Sequence, residues 1–109
     1  FPPPVAGKEP TLEEALEQSP PLKEAVDASP QYQRAFEIAK QVEGYVRGAG
    51  MRGESRAEMR TLRDECVPAG DVQCIARAHR AMCARFEGRA DAAGLCKRFR
   101  ETAALAVRA

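Results

Sequence analysis

All four cysteines of this 109-residue chain, and its only histidine, lie between Cys66 and Cys96. Two turn sequences interrupt this stretch. Residues 67–70 have the sequence VPAG, in which proline removes a backbone donor and glycine marks a helix stop. Residues 87–89, EGR, form the second break. The stretch therefore predicts helices that fold back on one another at two turns.

The two turns favour one pairing of the cysteines. Residues at equal distances from a short turn between antiparallel helices face each other. Cys66 and Cys74 are symmetric about the first turn, as Cys83 and Cys96 are about the second. A Cys74–Cys83 bond is excluded, because a spacing of nine residues places them on opposite faces of one helix. Of the two remaining connectivities, we expect Cys66–Cys74 with Cys83–Cys96, which needs no crossing.

Hydrophobic periodicity predicts an all-α fold. Tryptophan is absent and aromatic residues are scarce, so alanine and leucine must supply much of the core. Apolar residues recur at helical spacing in four segments. These segments cover roughly residues 30–47, 55–65, 72–86 and 90–107. We therefore expect a single domain over 1–109, in which residues 30–109 form a small four-helix up-down bundle stapled by two disulfides.

Residues 1–29 predict an N-terminal arm of short helical turns. A proline recurs every ten residues, at Pro10, Pro20 and Pro30, and begins each repeat. Thr11 with Glu14 forms a capping box for the first unit. Helices this short need a surface on which to dock. The sequence leaves open whether that surface is the core of this chain or a partner.

Four arginines form the strongest candidate for a binding surface. Arg52, Arg56, Arg60 and Arg63 follow at spacings of four, four and three residues, and we call them the arginine ridge. Like charges so placed repel one another, and cations near a helix start oppose the macrodipole. Stability alone does not favour this arrangement. We therefore predict that the ridge binds an acidic partner, the alternative being a solvated helix face.

His79 and Cys83 are the candidates for a metal site. They lie four residues apart on the predicted inner stripe and share a metal only if the thiols are reduced. Their spacing matches no common zinc motif, so we expect no cofactor. The favoured role of His79 is a histidine at the core boundary with one ring nitrogen hydrogen-bonded.

Other function classes have little support. Disulfides would consume all four thiols, and no phosphate-binding loop is present, so we expect no catalytic residues. The charge is also split: residues 1–45 carry eight acidic and four basic side chains, and residues 46–109 carry eight and thirteen. With so few aromatic residues, nucleic-acid binding is not expected. No apolar run is long enough for membrane insertion.

The sequence therefore predicts an exported protein-binding module of the inhibitor, immunity or adaptor type. We expect it to be periplasmic or secreted, because an even cysteine count in a small chain favours an oxidising compartment. One alternative is a carrier of lipid or another hydrophobic molecule, and the second is a metal-binding protein that uses His79 and Cys83. The carrier's pocket would be lined by Tyr32, Phe36, Ile75, Phe86 and Phe99. The oligomeric state is left open.

Overall fold

A computed structural model of the chain describes residues 9–108, with Arg108 described by its backbone alone. Within that range the regular elements are helical, and no strand occurs. The helices are α1 (Leu12–Glu17), α2 (Pro20–Ala28), α3 (Pro30–Gly48), α4 (Arg56–Thr61), α5 (Val67–Ala69), α6 (Val72–Arg85), α7 (Ala93–Lys97) and α8 (Phe99–Arg108). A π-helical segment (Leu62–Cys66) joins α4 to α5, and a 3₁₀ turn (Ala90–Ala92) precedes α7. The predicted all-α fold is confirmed.

Both predicted disulfides are present. Cys66–Cys74 joins the π-helical segment to the first turn of α6, with a Cα–Cα distance of 5.3 Å. Cys83–Cys96 joins the last turn of α6 to α7, with a Cα–Cα distance of 5.4 Å. Both distances are ordinary for disulfides. Helix α6 is therefore cross-linked near both of its ends.

Helix α6 lies at the centre of the fold and packs against α3, α4 and α8. Its start is fixed by Asp71, whose side chain accepts a hydrogen bond from the Cys74 amide at 3.1 Å. Ile75 and Met82 on its inner stripe are fully buried. The apolar stripe predicted for this helix is thus buried in the core at these two positions.

The first turn differs from its prediction, because the VPAG sequence does not break the helix at Val67. The helical path continues through α5 to Ala69, and the Val67 amide donates to the Leu62 carbonyl five residues earlier. A proline ring clashes with the carbonyl four residues before it in a regular α-helix. The wider π-helical turn just before Pro68 relieves that clash, so the chain reverses only at Gly70.

The last helical run is interrupted, whereas the sequence pattern predicts one continuous helix. Helix α7 ends at Lys97, and Arg98 separates it from α8. The Arg98 amide donates to the Cys96 carbonyl, which tightens the final turn of α7. The predicted four-helix bundle is therefore right in outline, with its last member divided into two shorter helices.

The N-terminal arm packs on the core of this chain. Helices α1 and α2 contact α3, and Leu12, Leu22 and Val26 are buried in the same cluster as the core of α3 and α6. The capping box of Thr11 and Glu14 is present as predicted. Residues 1–8 of the arm lie outside the described part of the chain.

Gly70→Ala should destabilise the protein by about 1–2 kcal/mol. Gly70 has a φ of +63°, and a Cβ there would lie 3.1 Å from the ring of Tyr32. Urea unfolding followed by far-UV circular dichroism measures the loss. Gly53→Ala is the matched control, because no atom lies within 4 Å of its added Cβ. Equal stability of the two variants would contradict the role given to Gly70.

Candidate functional site: the arginine ridge and Glu9

The structure divides the arginine ridge into an exposed part and a buried part. Arg52, Arg56 and Arg60 are exposed, whereas the side chain of Arg63 is 7 % exposed. Arg63 lies in the π-helical segment against the N-terminal arm, and its Nη1 donates to the Pro10 carbonyl at 3.4 Å. Arg63 is therefore a structural contact of the arm and offers little of its charge to a partner.

Glu9 is the acidic ligand that the chain itself supplies to the ridge. Its Oε1 accepts a hydrogen bond from Arg60 Nη2 at 2.7 Å, and its Oε2 lies 2.9 Å from Arg63 Nη2. The second contact is an ion pair whose alignment is too poor for a hydrogen bond, so Glu9 Oε2 is buried without a donor. Arg52 adds a weak contact, since its Nη2 lies 3.4 Å from the Glu9 carbonyl.

The charges in this cluster stabilise one another. The hydrogen bond from Arg60, opposed by burial and reinforced by Arg63, holds the pKa of Glu9 below its usual value of 4.5. Burial alone would lower the pKa of Arg63, but Asp64 and Glu9 outweigh it and raise that pKa. Both groups are therefore charged near neutral pH, and the arm is held to the ridge by charge-assisted contacts.

The exposed end of the ridge carries positive charge without matching acids. The side chain of Arg56 has no hydrogen bond or ion pair to any residue in the described range. Arg47, which lies in the last turn of α3, has only a 3.5 Å ion pair with Glu43. The positive charge of Arg56 is therefore unpaired among the described residues, whereas the charge of the neighbouring Arg60 is matched by Glu9.

A small cavity lies beside these arginines, and we call it the ridge pocket. It has a volume of about 30 Å³, room for roughly one or two water molecules. The apolar part of its wall includes Leu12 of the arm, Val46 of α3 and Met59 of α4. Its charged part comprises Arg47, Arg52, Arg56 and Arg63 against the carboxylates Glu9 and Glu43. The pocket therefore combines an apolar wall with an excess of positive charge.

A separate group of ion pairs balances the charge where α4 meets the end of α6. The buried Glu58 accepts from Arg85 Nη1 at 2.8 and 2.7 Å, and Arg89 pairs with Glu54. Both arginines also lie over the ring of Phe86. These contacts tie α4 to the central helix. The excess of arginine therefore lies on the ridge side of α4.

His79 is buried in the core, and the prediction of a boundary position with one satisfied nitrogen is wrong. Its Nε2 lies 2.8 Å from the Leu95 carbonyl, and its Nδ1 lies 3.1 Å from the Thr102 hydroxyl. Because a carbonyl only accepts, Nε2 carries the proton and Nδ1 accepts from Thr102. The ring also meets Phe99 edge-on. His79 thus connects α6 to both α7 and α8.

The oxidised protein does not bring His79 and Cys83 together as metal ligands. Cys83 is in a disulfide, and both ring nitrogens of His79 are hydrogen-bonded. Within residues 9–108 no group of three or more histidine, cysteine, aspartate or glutamate side chains is arranged to hold a metal ion. Metal binding at this pair would first require reduction of the disulfide.

The residues predicted to line a carrier pocket are part of the core or lie against it. Ile75 is fully buried, and Phe36 and Phe86 are nearly so. Tyr32 packs beneath Gly70, and Phe99 packs against His79. None of the five lines the ridge pocket. The carrier function stays a prediction.

Comparisons of the chain with protein-family models, curated proteins and solved structures found no match. In the part of the chain that the structure covers, no helix is both long and apolar enough to cross a bilayer. The interpretation of the ridge therefore depends on its geometry and charge.

Sequence reasoning missed Glu9 and the apolar wall of the ridge pocket. Glu9 lies more than forty positions before the arginines that it contacts, so helical spacing could not connect them. The uneven charge distribution along the sequence was the feature that could have indicated this contact. An acidic first half and a basic second half favour contacts between the two, and the pair of Glu9 with Arg60 is such a contact.

Glu9→Gln should lower the free energy of unfolding by about 1 kcal/mol at neutral pH. The variant leaves the buried Arg63 without one of its two carboxylates. Because the folded-state pKa of Glu9 is lowered, its contribution is present above pH 4.5 and is lost as the pH falls through that pKa. Urea unfolding at pH 7 and at pH 3 measures both effects.

Glu13→Gln is the control for this comparison, because Glu13 pairs with Lys40 at 2.8 Å on the exposed surface of the arm. It should cause no measurable loss of stability. A Glu9 variant as stable as the Glu13 variant at pH 7 would show that the arm is not held by the ridge.

Stability should also fall over the pH window just below 6.5 because of His79. Burial lowers the pKa of His79 below its usual 6.5, although its bond to Leu95 opposes this. As the pH falls below 6.5, His79 becomes protonated in the unfolded chain but stays neutral in the folded chain. The free energy of unfolding therefore falls by up to about 1.4 kcal/mol per pH unit.

A proton NMR titration tests this expectation directly, because the chain has a single histidine whose ring signals need no further assignment. The midpoint should lie below 6.5, and urea unfolding of His79→Gln should lose the pH dependence in this window. A midpoint at or above 6.5 would contradict the buried, neutral state.

Proposed function

We propose that this protein is an exported protein-binding module whose contact surface is the exposed part of the arginine ridge. The observation that carries the proposal is the uncompensated charge of Arg56 beside the pair of Glu9 with Arg60. One carboxylate already binds to this ridge, and the next arginine along the helix has no counterpart. An acidic partner would supply it.

The burial of Arg63 narrows the predicted contact surface. All four arginines of the ridge were expected to contact the partner, but the buried Arg63 already pairs with Glu9 and Asp64 of this chain. The surface that we propose consists of Arg52, Arg56 and Arg60. Reversing the charge of Arg63 would damage the fold and is therefore unsuitable as a test of binding.

The backbone beneath this surface is anchored by buried side chains and by a disulfide. Met51 and Ser55 in the loop before α4 are fully buried, and the Ser55 hydroxyl donates to the Met51 carbonyl at 2.8 Å. The Cys66–Cys74 disulfide links the far end of the same helical run to α6. A backbone held in this way loses little conformational entropy on binding, which favours affinity.

The proposed location is the periplasm or the outside of the cell. Two disulfides in a small helical chain fit an oxidising compartment, where such bonds form and persist. Inhibitor, immunity and adaptor proteins are the classes whose task is to present such a fixed surface to one partner. The proposed activity is therefore binding, with no catalytic step.

Arg52→Glu combined with Arg56→Glu should abolish capture of the partner while leaving the fold intact. Both side chains are exposed, and neither has an ion pair within the described residues. The tagged chain is used to capture exported proteins of its source cell, and bound proteins are quantified by mass spectrometry. Far-UV circular dichroism and urea unfolding confirm that the variant is folded.

Arg80→Glu combined with Arg100→Glu is the matched control. It makes the same change in net charge at two exposed arginines on α6 and α8 that have no ion pair in the described range. We expect the control to retain the captured protein. If the ridge variant retained the captured protein, or if both variants lost it equally, the ridge would not be the contact surface.

A further inference from the structure

We infer that the ridge pocket binds one acidic residue of the partner together with a small apolar side chain next to it, on an extended segment. This inference rests on the proposed function, since it specifies how the partner engages the same surface. The pocket between α3 and α4 supplies cations on its rim and apolar side chains in its wall. The acidic residue would thus bind to the cations of the rim, and the apolar side chain would bind to the apolar wall of the same pocket.

The rim provides the site for the carboxylate. Arg52 and Arg56 are spaced four residues apart, around the start of α4, and Arg47 in the last turn of α3 also lines the pocket. Arg56 has no partner within residues 9–108, and Arg52 has only its weak contact with the Glu9 carbonyl. A guanidinium binds a carboxylate through parallel N–H groups, so either side chain can take it without breaking an existing ion pair.

The wall provides the site for the apolar group. Leu12, Val46 and Met59 contribute it, and Leu12 and Val46 are already buried by the fold itself. A volume of about 30 Å³ has room for a group of methyl or small-alkyl size and excludes an aromatic ring unless the wall moves. The pocket therefore favours alanine, valine or proline beside the acidic residue.

The arm shows how such a segment lies on the ridge. Residues 9–11 are not helical, and Glu9 places its carboxylate between Arg60 and Arg63 while Pro10 lines the pocket. Arg56 is one helical turn before Arg60, and the Cβ atoms of residues so spaced lie about 5–6 Å apart. A carboxylate bound at Arg56 would therefore lie one turn closer to the start of α4 than Glu9. A partner segment with an acid next to a small apolar residue repeats the chemistry of Glu9 with Pro10.

The acids in the pocket argue against a dense polyanion as the occupant. Glu9 and Glu43 are both in the lining, and they would repel the closely spaced charges of a nucleic acid or a sulfated glycan. Such ligands bind mainly through their charged groups and gain less from a small apolar wall than an aliphatic side chain does. A protein segment, whose acidic residues alternate with apolar ones, fits both parts of the pocket.

Selection from a library of random seven-residue peptides displayed on phage tests the inference without knowledge of the partner. The target is the intact oxidised chain. We expect enrichment of peptides that contain aspartate or glutamate next to alanine, valine or proline. Synthetic versions of the enriched peptides should bind Arg56→Gln about tenfold more weakly than the unaltered chain, and Arg80→Gln within about twofold of it.

Met59→Phe tests the apolar wall separately. The larger side chain would fill the pocket, so the enriched peptides should bind more weakly although every arginine is still present. Thermal unfolding shows whether this variant is folded. If it is not, Arg56→Gln still tests the inference, because it alters an exposed side chain that has no hydrogen bond or ion pair in the described residues.

The result that overturns the inference is enrichment of peptides without acids, no enrichment, or equal binding by the Arg56→Gln chain. Binding of heparin that depends on Arg56, with no peptide binding, would assign the site to a polyanion and would also overturn it. Failure here is distinguishable from failure of the proposed function. The ridge reversal Arg52→Glu with Arg56→Glu would still abolish partner capture if the partner used the ridge without entering the pocket.

Discussion

Two covalent cross-links hold helix α6 near both of its ends, and we expect the packing of the other helices to depend on them. Each disulfide closes a short loop, which raises stability by about 3 kcal/mol in the chain-entropy account. That contribution matters because the core is poor in aromatic residues and several helices have six or fewer residues. Such short helices are unstable alone and persist only when packed on a fixed neighbour.

The sequence was sufficient to predict those features that depend only on residues close together in the chain. The disulfide pairing followed from the symmetry of Cys66 with Cys74 and of Cys83 with Cys96 about two turns, and the caps at Thr11 and Asp71 followed from residue type. Two helix boundaries were predicted wrongly. The π-helical turn accommodates Pro68, so the helical path continues past Val67. The last helix is divided at Arg98, although no strong helix-breaking residue stands there.

The candidate site shows the limit of helical spacing as evidence. Spacing places four arginines along one helical path, but it does not say what covers them. Glu9 and Pro10 of the arm cover Arg63, and this contact spans more than fifty positions of the chain. His79 illustrates the same limit, since its hydrogen bonds go to Leu95 and Thr102 on other helices. The ridge is therefore partly an internal contact and partly a surface, and only the second part is proposed for binding.

Hydrogen exchange measured by mass spectrometry on the oxidised chain and on the reduced, alkylated chain tests the dependence on the disulfides most directly. In the oxidised chain we expect the slowest exchange in α6, because it is buried at Ile75 and Met82 and cross-linked near both ends. Reduction should remove that protection and also the protection of the arm and α4, which pack directly or through α3 on α6. Unchanged protection after reduction would contradict the account, because the helices would then hold the ridge in place without the cross-links.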